Sequence, residues 1–367
     1  MTEKNIPWWQ VDFGVSAADA VREEVLAKRI SMGPTTRVFE ERIEEILNVR
    51  HCVATGSGTT ALLMAMMALE IGSQDKVAIQ DRSWISAAHA SHLLNTRILL
   101  IDVMKESPIL DRDSLAKIFE FNPKCIVVIH MNGRSSHIEE ISAECKKRGI
   151  YLIEDAAQAI GSKVNNRFLG TFGDIGCFSL ALTKTISSGQ GGFCVTNDEG
   201  IFKRLRDLRS HGMSDVFFPE WVSFGMNFRF TDLQAALAIT QLEDLAPRLD
   251  RQINIRNQYL AGTENLKNVQ LLPMKSDSGE NGPYFDCKVP DAKTFTNKMI
   301  EYGVQVRPFY PSLSTASYLN IQNRDATPNA TYWHKHGVSL PSGPNLTNSQ
   351  VNKVIEVLSK VDSSLQK

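Results

Sequence analysis

No apolar run approaches the roughly 20 residues a helix needs to cross a bilayer, so no helical membrane span is expected. The opening "MTEKNIPWWQVDFG" carries charged and aromatic residues but no apolar signal core, which points to a cytoplasmic location. Excess charge of one sign is missing too. A total of 40 Lys and Arg against 41 Asp and Glu leaves −1, too little cation for a dedicated nucleic-acid surface. The six cysteines (Cys52, Cys125, Cys145, Cys177, Cys194, Cys287) form no Cys-x-x-Cys pair. Several sit inside apolar runs such as "KCIVVIH" and "GCFSL", so they read as reduced core thiols rather than disulfides or ligands. His89 and His92 fall three apart on a helix-like stretch, and His334 and His336 flank Lys335. Neither pair meets a metal-site spacing, and no metal is expected.

What remains is a chain of 367 residues, long enough for a large core and more than one domain. Its first half is punctuated by continuous apolar runs at 76–80, 97–103, 124–130, 150–155, 176–182 and 191–197. Continuous rather than alternating runs suit strands covered on both faces. Helix-like segments at 59–71, 83–94 and 136–148 lie between them, so the alternation implies an α/β fold with a mostly parallel sheet between helices. From about residue 230 the pattern becomes helical, with Pro247 marking a break or kink. A turn-rich stretch at 276–283 follows, then helices at 291–303 and 348–361, the last capped by Thr347 or Asn348. The division expected is 1–245 for a large domain and 246–367 for a smaller α+β one, with the opening residues a candidate to pack on the latter.

Ligands of open α/β sheets gather beyond the carboxyl ends of the strands. After "HCVAT" comes Gly56-Ser57-Gly58-Thr59-Thr60, opening a helix. That is either a phosphate cradle or a plain glycine turn with a cap. Asp155 closes "YLIED" and is a helix cap, a metal carboxylate or the partner of a protonated ring nitrogen. Trp84, at a strand-to-helix corner, is core or a stacker for a flat ring. Ser179 lies on the strand "GCFSLAL" and Lys184 just beyond it. Lys184 is an ordinary turn lysine or an amine aimed inward, with Gly189, Gly191 and Gly192 letting the backbone turn away. Cradle, stacker, acid and amine together are the set that pyridoxal 5'-phosphate requires.

The same blocks resemble the DegT/DnrJ/EryC1/StrS sugar aminotransferases, of the fold type I shared with aspartate aminotransferase. The resemblance runs through 33–66, 128–141, 153–198, 225–245 and 339–358. It implies a seven-stranded sheet in the large domain and pyridoxal 5'-phosphate as cofactor, with pyridoxamine 5'-phosphate as its alternate form. It implies that Lys184 attaches the cofactor and later shuttles the proton. Asp155 would pair with the ring nitrogen, and Trp84 and Gln158 would take the two ring faces. Gly58, Thr59 and Ser179 would hold the phosphate, joined by Asn227 from the neighbouring subunit of a homodimer with shared sites. The implied reaction moves an amino group from glutamate or glutamine to a keto-sugar, most readily a nucleotide-linked 3-keto or 4-keto hexose. A keto-inositol acceptor, a non-catalytic regulator and a sugar dehydratase or deoxygenase are the alternatives; members of the family of that last kind replace the lysine with histidine, whereas Lys184 is present. Arg209, His211, Arg229 and Tyr310 are candidates for substrate contact, each equally suited to a structural role. Three stretches depart from the family's usual pattern. Gln190 stands where glutamate is common, "QDRSW" (80–84) replaces a Pro-containing approach to the aromatic, and "ALTKT" (181–185) is a variant block.

Overall fold

The computed structural model describes residues 5–213, 220–221 and 223–365. Helices α1 (Gly14–Leu26) and α2 (Pro34–Leu47) lead into β1 (His51–Thr55). Then come α3 (Gly58–Ala68), β2 (Lys76–Gln80), α4 (Ser86–Leu93), β3 (Arg97–Ile101), α5 (Arg112–Phe119), β4 (Cys125–Ile129), α6 (Ile138–Arg148) and β5 (Tyr151–Asp155). A short hairpin, β6 (Lys163–Val164) and β7 (Arg167–Phe168), precedes β8 (Ile175–Ser179), β9 (Gly192–Thr196) and α7 (Glu199–Arg209).

Seven of these strands form one sheet in the order β1-β9-β8-β5-β4-β2-β3. Only β9 runs against its neighbours; the other pairings are parallel. The continuous apolar runs follow from burial on both faces, because successive side chains point to opposite sides. Ala78, Leu99, Ile101, Ile126 and Val128 share one core with Phe39 and Ile43 of α2. Their neighbours Val77, Ile79, Ile98, Leu100 and Val127 share another with Leu62, Met64 and Met66 of α3.

The rest of the chain forms α8 (Asp232–Glu243), α9 (Leu245–Thr263), β10 (Gln270–Leu271), β11 (Phe285–Lys288), α10 (Ala292–Glu301), β12 (Arg307–Pro308), α11 (Pro328–His336), β13 (Gly337–Leu340) and α12 (Asn348–Ser364). Its four strands make a second, antiparallel sheet in the order β10-β11-β13-β12. A third core there joins Ile255 and Tyr259 of α9 to Phe295 of α10 and Val354 and Leu358 of α12. Ile6, near the start of the chain, bridges to Val304 and lies in that core.

Two local expectations shift. Helix α4 starts at Ser86 rather than Ser83, which leaves Trp84 in the corner loop. The long helical stretch breaks at Asp244, and Pro247 is the third residue of α9. In a first turn its missing N–H costs nothing, since that group would have no helical partner. Thr347 is the cap of α12, in a reciprocal box with Gln350.

Candidate active site

A cleft of about 240 Å³ opens beyond the carboxyl ends of the parallel strands. Of the residues singled out from sequence, Gly58, Thr59, Trp84, Asp155, Gln158, Ser179, Lys184 and Tyr310 line it. Gln190, marked by its unusual slot, joins them, as do other residues, among them Ser86, His130, Thr183, Tyr284 and Arg307.

The α3 end of the cleft is a cradle of backbone donors. The Ser57 hydroxyl accepts from Thr60 N, and the Thr60 hydroxyl accepts from Ser57 N. The N–H groups of Gly58 and Thr59 open the helix and have no partner within it. A Cβ at Gly58 would lie 2.9 Å from Ser179 Cβ, so only glycine lets this helix start approach the end of β8. The Thr59 hydroxyl meets that of Ser86 at 2.8 Å. Unpaired amides, hydroxyls and the helix dipole suit a phosphate.

Asp155 ends β5, buried, with one carboxylate oxygen accepting from Ala157 N at 3.1 Å. Burial pushes its carboxyl above the usual range, against the pull of the Ala157 N–H, Lys184 and His130. On the adjacent strand end, His130 meets Glu154 at 2.7 Å, both side chains fully buried. Glu154 also accepts from Gly170 N and Gly173 N at 2.8 and 2.6 Å, which fixes the strand ends around Asp155. Gln158 is anchored through its side-chain oxygen, which accepts from Asn132 N at 3.0 Å. Trp84 is 48% exposed, with an edge-to-face contact to Tyr310 at 4.8 Å between centroids. A large indole left open beside a polar cleft offers a flat face to a ring.

Lys184 sits on a loop closed at its neck, where Leu180 N donates to Gly191 O at 2.8 Å. Gly191 has φ +146°, and a Cβ there would fall 2.6 Å from the Phe230 ring. Two distant segments hold the loop from outside. The Tyr284 hydroxyl donates to Thr183 O at 2.7 Å, and Trp9 Nε1 donates to Leu182 O at 3.1 Å. Burial lowers the Lys184 ammonium from its usual range, and Arg307 adds to this; Tyr310 and Asp155 oppose it. A lysine desolvated in this way carries more of the neutral, nucleophilic amine.

Four candidates do not line the cleft. Arg209 requires a correction: it is buried and bonded to Glu40 and to Ala54 O, the latter at 3.4 Å, so it is committed to holding α7 against α2 and β1. His211 is exposed at the end of α7 with φ +61°. Asn227 is exposed and bridges to Ser210, and Arg229 Nε approaches Ser210 Oγ at 3.4 Å. No metal-ligating cluster of His, Cys, Asp or Glu occurs among the described residues. Arg307 stands three residues before Tyr310 in "RPFYPSL", and Gln190 was marked by its unusual slot; Tyr284 and His130 carried no local signal.

The donor set therefore fits pyridoxal 5'-phosphate: amides and hydroxyls for the phosphate, an acid at depth, a flat indole and a desolvated amine. Comparisons with known proteins agree. The GDP-perosamine synthase of Vibrio cholerae is 28% identical over 335 residues, covering 86% of this chain and 88% of that protein. That of Escherichia coli O157:H7 is 27% identical over 365 residues, covering 97% and 98%. The crystal structure of the aminotransferase TlmJ from Streptoalloteichus hindustanus superposes over 100% of both chains with a TM-score of 0.92 and 26% identity. Residues 13–359 match the model of the DegT/DnrJ/EryC1/StrS aminotransferase family, and the chain belongs to that family.

Proposed function

We propose that the chain transfers an amino group from glutamate or glutamine to a nucleotide-linked 3-keto or 4-keto hexose, in two half-reactions at one cleft. The observation that carries this is the half-buried, desolvated amine of Lys184 in the same cleft as Asp155 and the open start of α3. Pyridoxal 5'-phosphate, when bound, supplies an aldehyde that accepts the amino group and a ring that acidifies the adjacent C–H. Gly58, Thr59 and Ser179 hold its phosphate. Asp155 would pair with the ring nitrogen, and Trp84 and Gln158 would confine the ring. Lys184 would provide the covalent attachment, and its Nζ would be the base for the proton on the donor's α-carbon. The relatives that make GDP-perosamine support an acceptor of the nucleotide-sugar class. Lysine rather than histidine at 184 favours amino transfer over dehydration.

A homodimer completes this reading, with Asn227 reaching the phosphate of a second copy and Arg229 its substrate. The segment that carries them exposes Trp221 at 76% and Phe224 at 68%, an apolar surface suited to a subunit contact. Six buried thiols with no disulfide support a cytoplasmic setting.

The test is the absorbance of the purified protein with pyridoxal 5'-phosphate, before and after glutamate, for wild type and Lys184→Ala. A yellow band of lysine-bound cofactor is expected in wild type only, bleached by glutamate or glutamine. No band in either protein would sink the proposal.

A further inference from the structure

Behind the cleft lies a second cavity of about 10 Å³, room for one water-sized atom. The two spaces share Gln158, Tyr284, Arg307 and Tyr310 as walls. Four buried polar atoms on residues lining the smaller cavity have no hydrogen-bond partner. They are Nε1 of Trp8, Nε and Nη1 of Arg82, and Oδ1 of Asn132. Three of the four are N–H donors, and two belong to a guanidinium.

Arg82 is 3% exposed. Its guanidinium lies 3.9 Å from the centroid of Phe309 and 5.3 Å from that of Tyr310, contacts that ease its burial but satisfy no N–H. Burial pulls it down to about 10, which still leaves it charged at neutral pH. The neighbouring carboxylates are engaged elsewhere. Asp286 serves Arg134, Asn132 and Ser339. Asp81 serves Ser312, Ser314 and Thr327. Arg307, at the boundary between the two spaces, has no carboxylate partner among the described residues and lies against the rings of Trp8 and Tyr310 at 4.8 and 4.6 Å. Asp286 and Asp81 lend Arg82 distant charge but accept none of its orphaned N–H groups, so this arrangement has room for an acceptor from outside.

We propose that the cavity receives one oxygen of the amino donor's carboxylate, with Arg82 and Trp8 donating to it and Arg307 meeting the other oxygen from the cleft. This rests on the aminotransferase reading and adds the donor's binding mode to it. The narrow space suits one carboxylate oxygen, with the second left in the cleft. Tyr284 lines both spaces, and Lys184 Nζ lies 6.0 Å from the centroid of its ring. An amino acid carries its α-carboxylate two bonds from the nitrogen that must reach the place of Lys184. Arg82 lies in "QDRSW", the stretch that departs from the family's usual Pro-containing approach to the aromatic.

The experiment uses cofactor-loaded wild type, Arg82→Gln, Arg82→Lys and Trp8→Phe, which keeps a ring but loses the N–H. Two readings are taken: the glutamate dependence of bleaching, and quenching of tryptophan fluorescence by succinate, which has carboxylates but no amine. Arg82→Gln should raise the glutamate concentration for half-maximal rate about 10- to 100-fold, and Trp8→Phe about 2- to 10-fold. The limiting rates should stay within about threefold, since the contact precedes the chemistry. Succinate affinity should fall in parallel. Arg82→Gln and Trp8→Phe proteins that respond to glutamate and succinate as wild type does would overturn the proposal and leave a water site. Should Arg82→Gln fail to hold cofactor, Trp8→Phe and Arg82→Lys decide it. Wild-type protein that no amino acid bleaches would sink the aminotransferase reading instead; an unchanged succinate titration would then sink the subsite separately.

Discussion

Arg209→Met separates an arginine that holds the fold from one that grips substrate. The Arg209 and Glu40 side chains are 8% and 7% exposed, so solvent screens their pairing little. Removing one partner of such a pair ordinarily costs about 3–5 kcal/mol, because the other charge is left buried alone. Glu40 would keep two supports here, the Ala54 N–H at 2.9 Å and the Arg37 guanidinium at 3.8 Å. The substitution also removes Arg209 Nε, which has no partner of its own. Both considerations place the loss at the low end, about 3 kcal/mol. Urea unfolding should show it as a midpoint lowered by about 1 M for a slope near 3 kcal/mol/M. The double variant Arg209→Met, Glu40→Leu should recover much of the loss, as an apolar pair needs no counter-charge. The glutamate response of folded Arg209→Met should stay within about twofold of wild type. A variant of native stability with a tenfold weaker glutamate response would refute this and return Arg209 to the substrate site.

Gly58→Ala places a methyl 2.9 Å from Ser179 Cβ, an overpacking of about 1–3 kcal/mol at the phosphate cradle. An absorbance titration should show pyridoxal 5'-phosphate binding weakened at least about fivefold with the circular dichroism unchanged. Tyr284→Phe loses the hydroxyl that holds Thr183, which should cost about 1 kcal/mol in unfolding and slow glutamate bleaching by loosening the Lys184 loop. Asp155 is raised by burial, so its ionisation opposes folding of the cofactor-free protein. That penalty is absent below the ordinary value near 4 and complete above the raised one. Asp155→Asn should therefore melt higher than wild type in the cofactor-free form at pH 7, the gap closing as pH falls toward 4. A gap that widens in acid would contradict the burial argument. Thr347→Ala removes the cap that accepts from Gln350 N and should cost about 1 kcal/mol.

The sheet was legible because its strands are buried on both faces, and an unbroken run such as "KVAIQ" maps directly onto β2. Helix starts were less so. Ser83 and Trp84 share the apolar character of the helix after them, and only packing shows that the helix waits until Ser86. The cleft residues read from sequence all follow strand ends or lie in one stretch before them, where chain order and position in the sheet coincide. Arg307 and Tyr284 come from the second sheet and its approach, 100 or more residues from Lys184 in the sequence, and no local pattern connects them. His130 and Glu154 become neighbours only through the pairing of β4 with β5. Arg209 misled because it adjoins a segment rich in motif residues, while its side chain turns back toward Glu40.

The loop bearing Lys184 is fastened by Trp9 from one side and by Tyr284 from the other, across sequence separations of 173 and 101 residues. Closing such long stretches of chain is entropically slow, so these fastenings come late when the chain refolds. The parallel strands β2, β3, β4, β5 and β8, paired across much shorter separations, form first. A refolding chain should therefore regain its helical signal before it regains the ability to take up pyridoxal 5'-phosphate. Through most of that passage the lysine amine stays in water, protonated and inert.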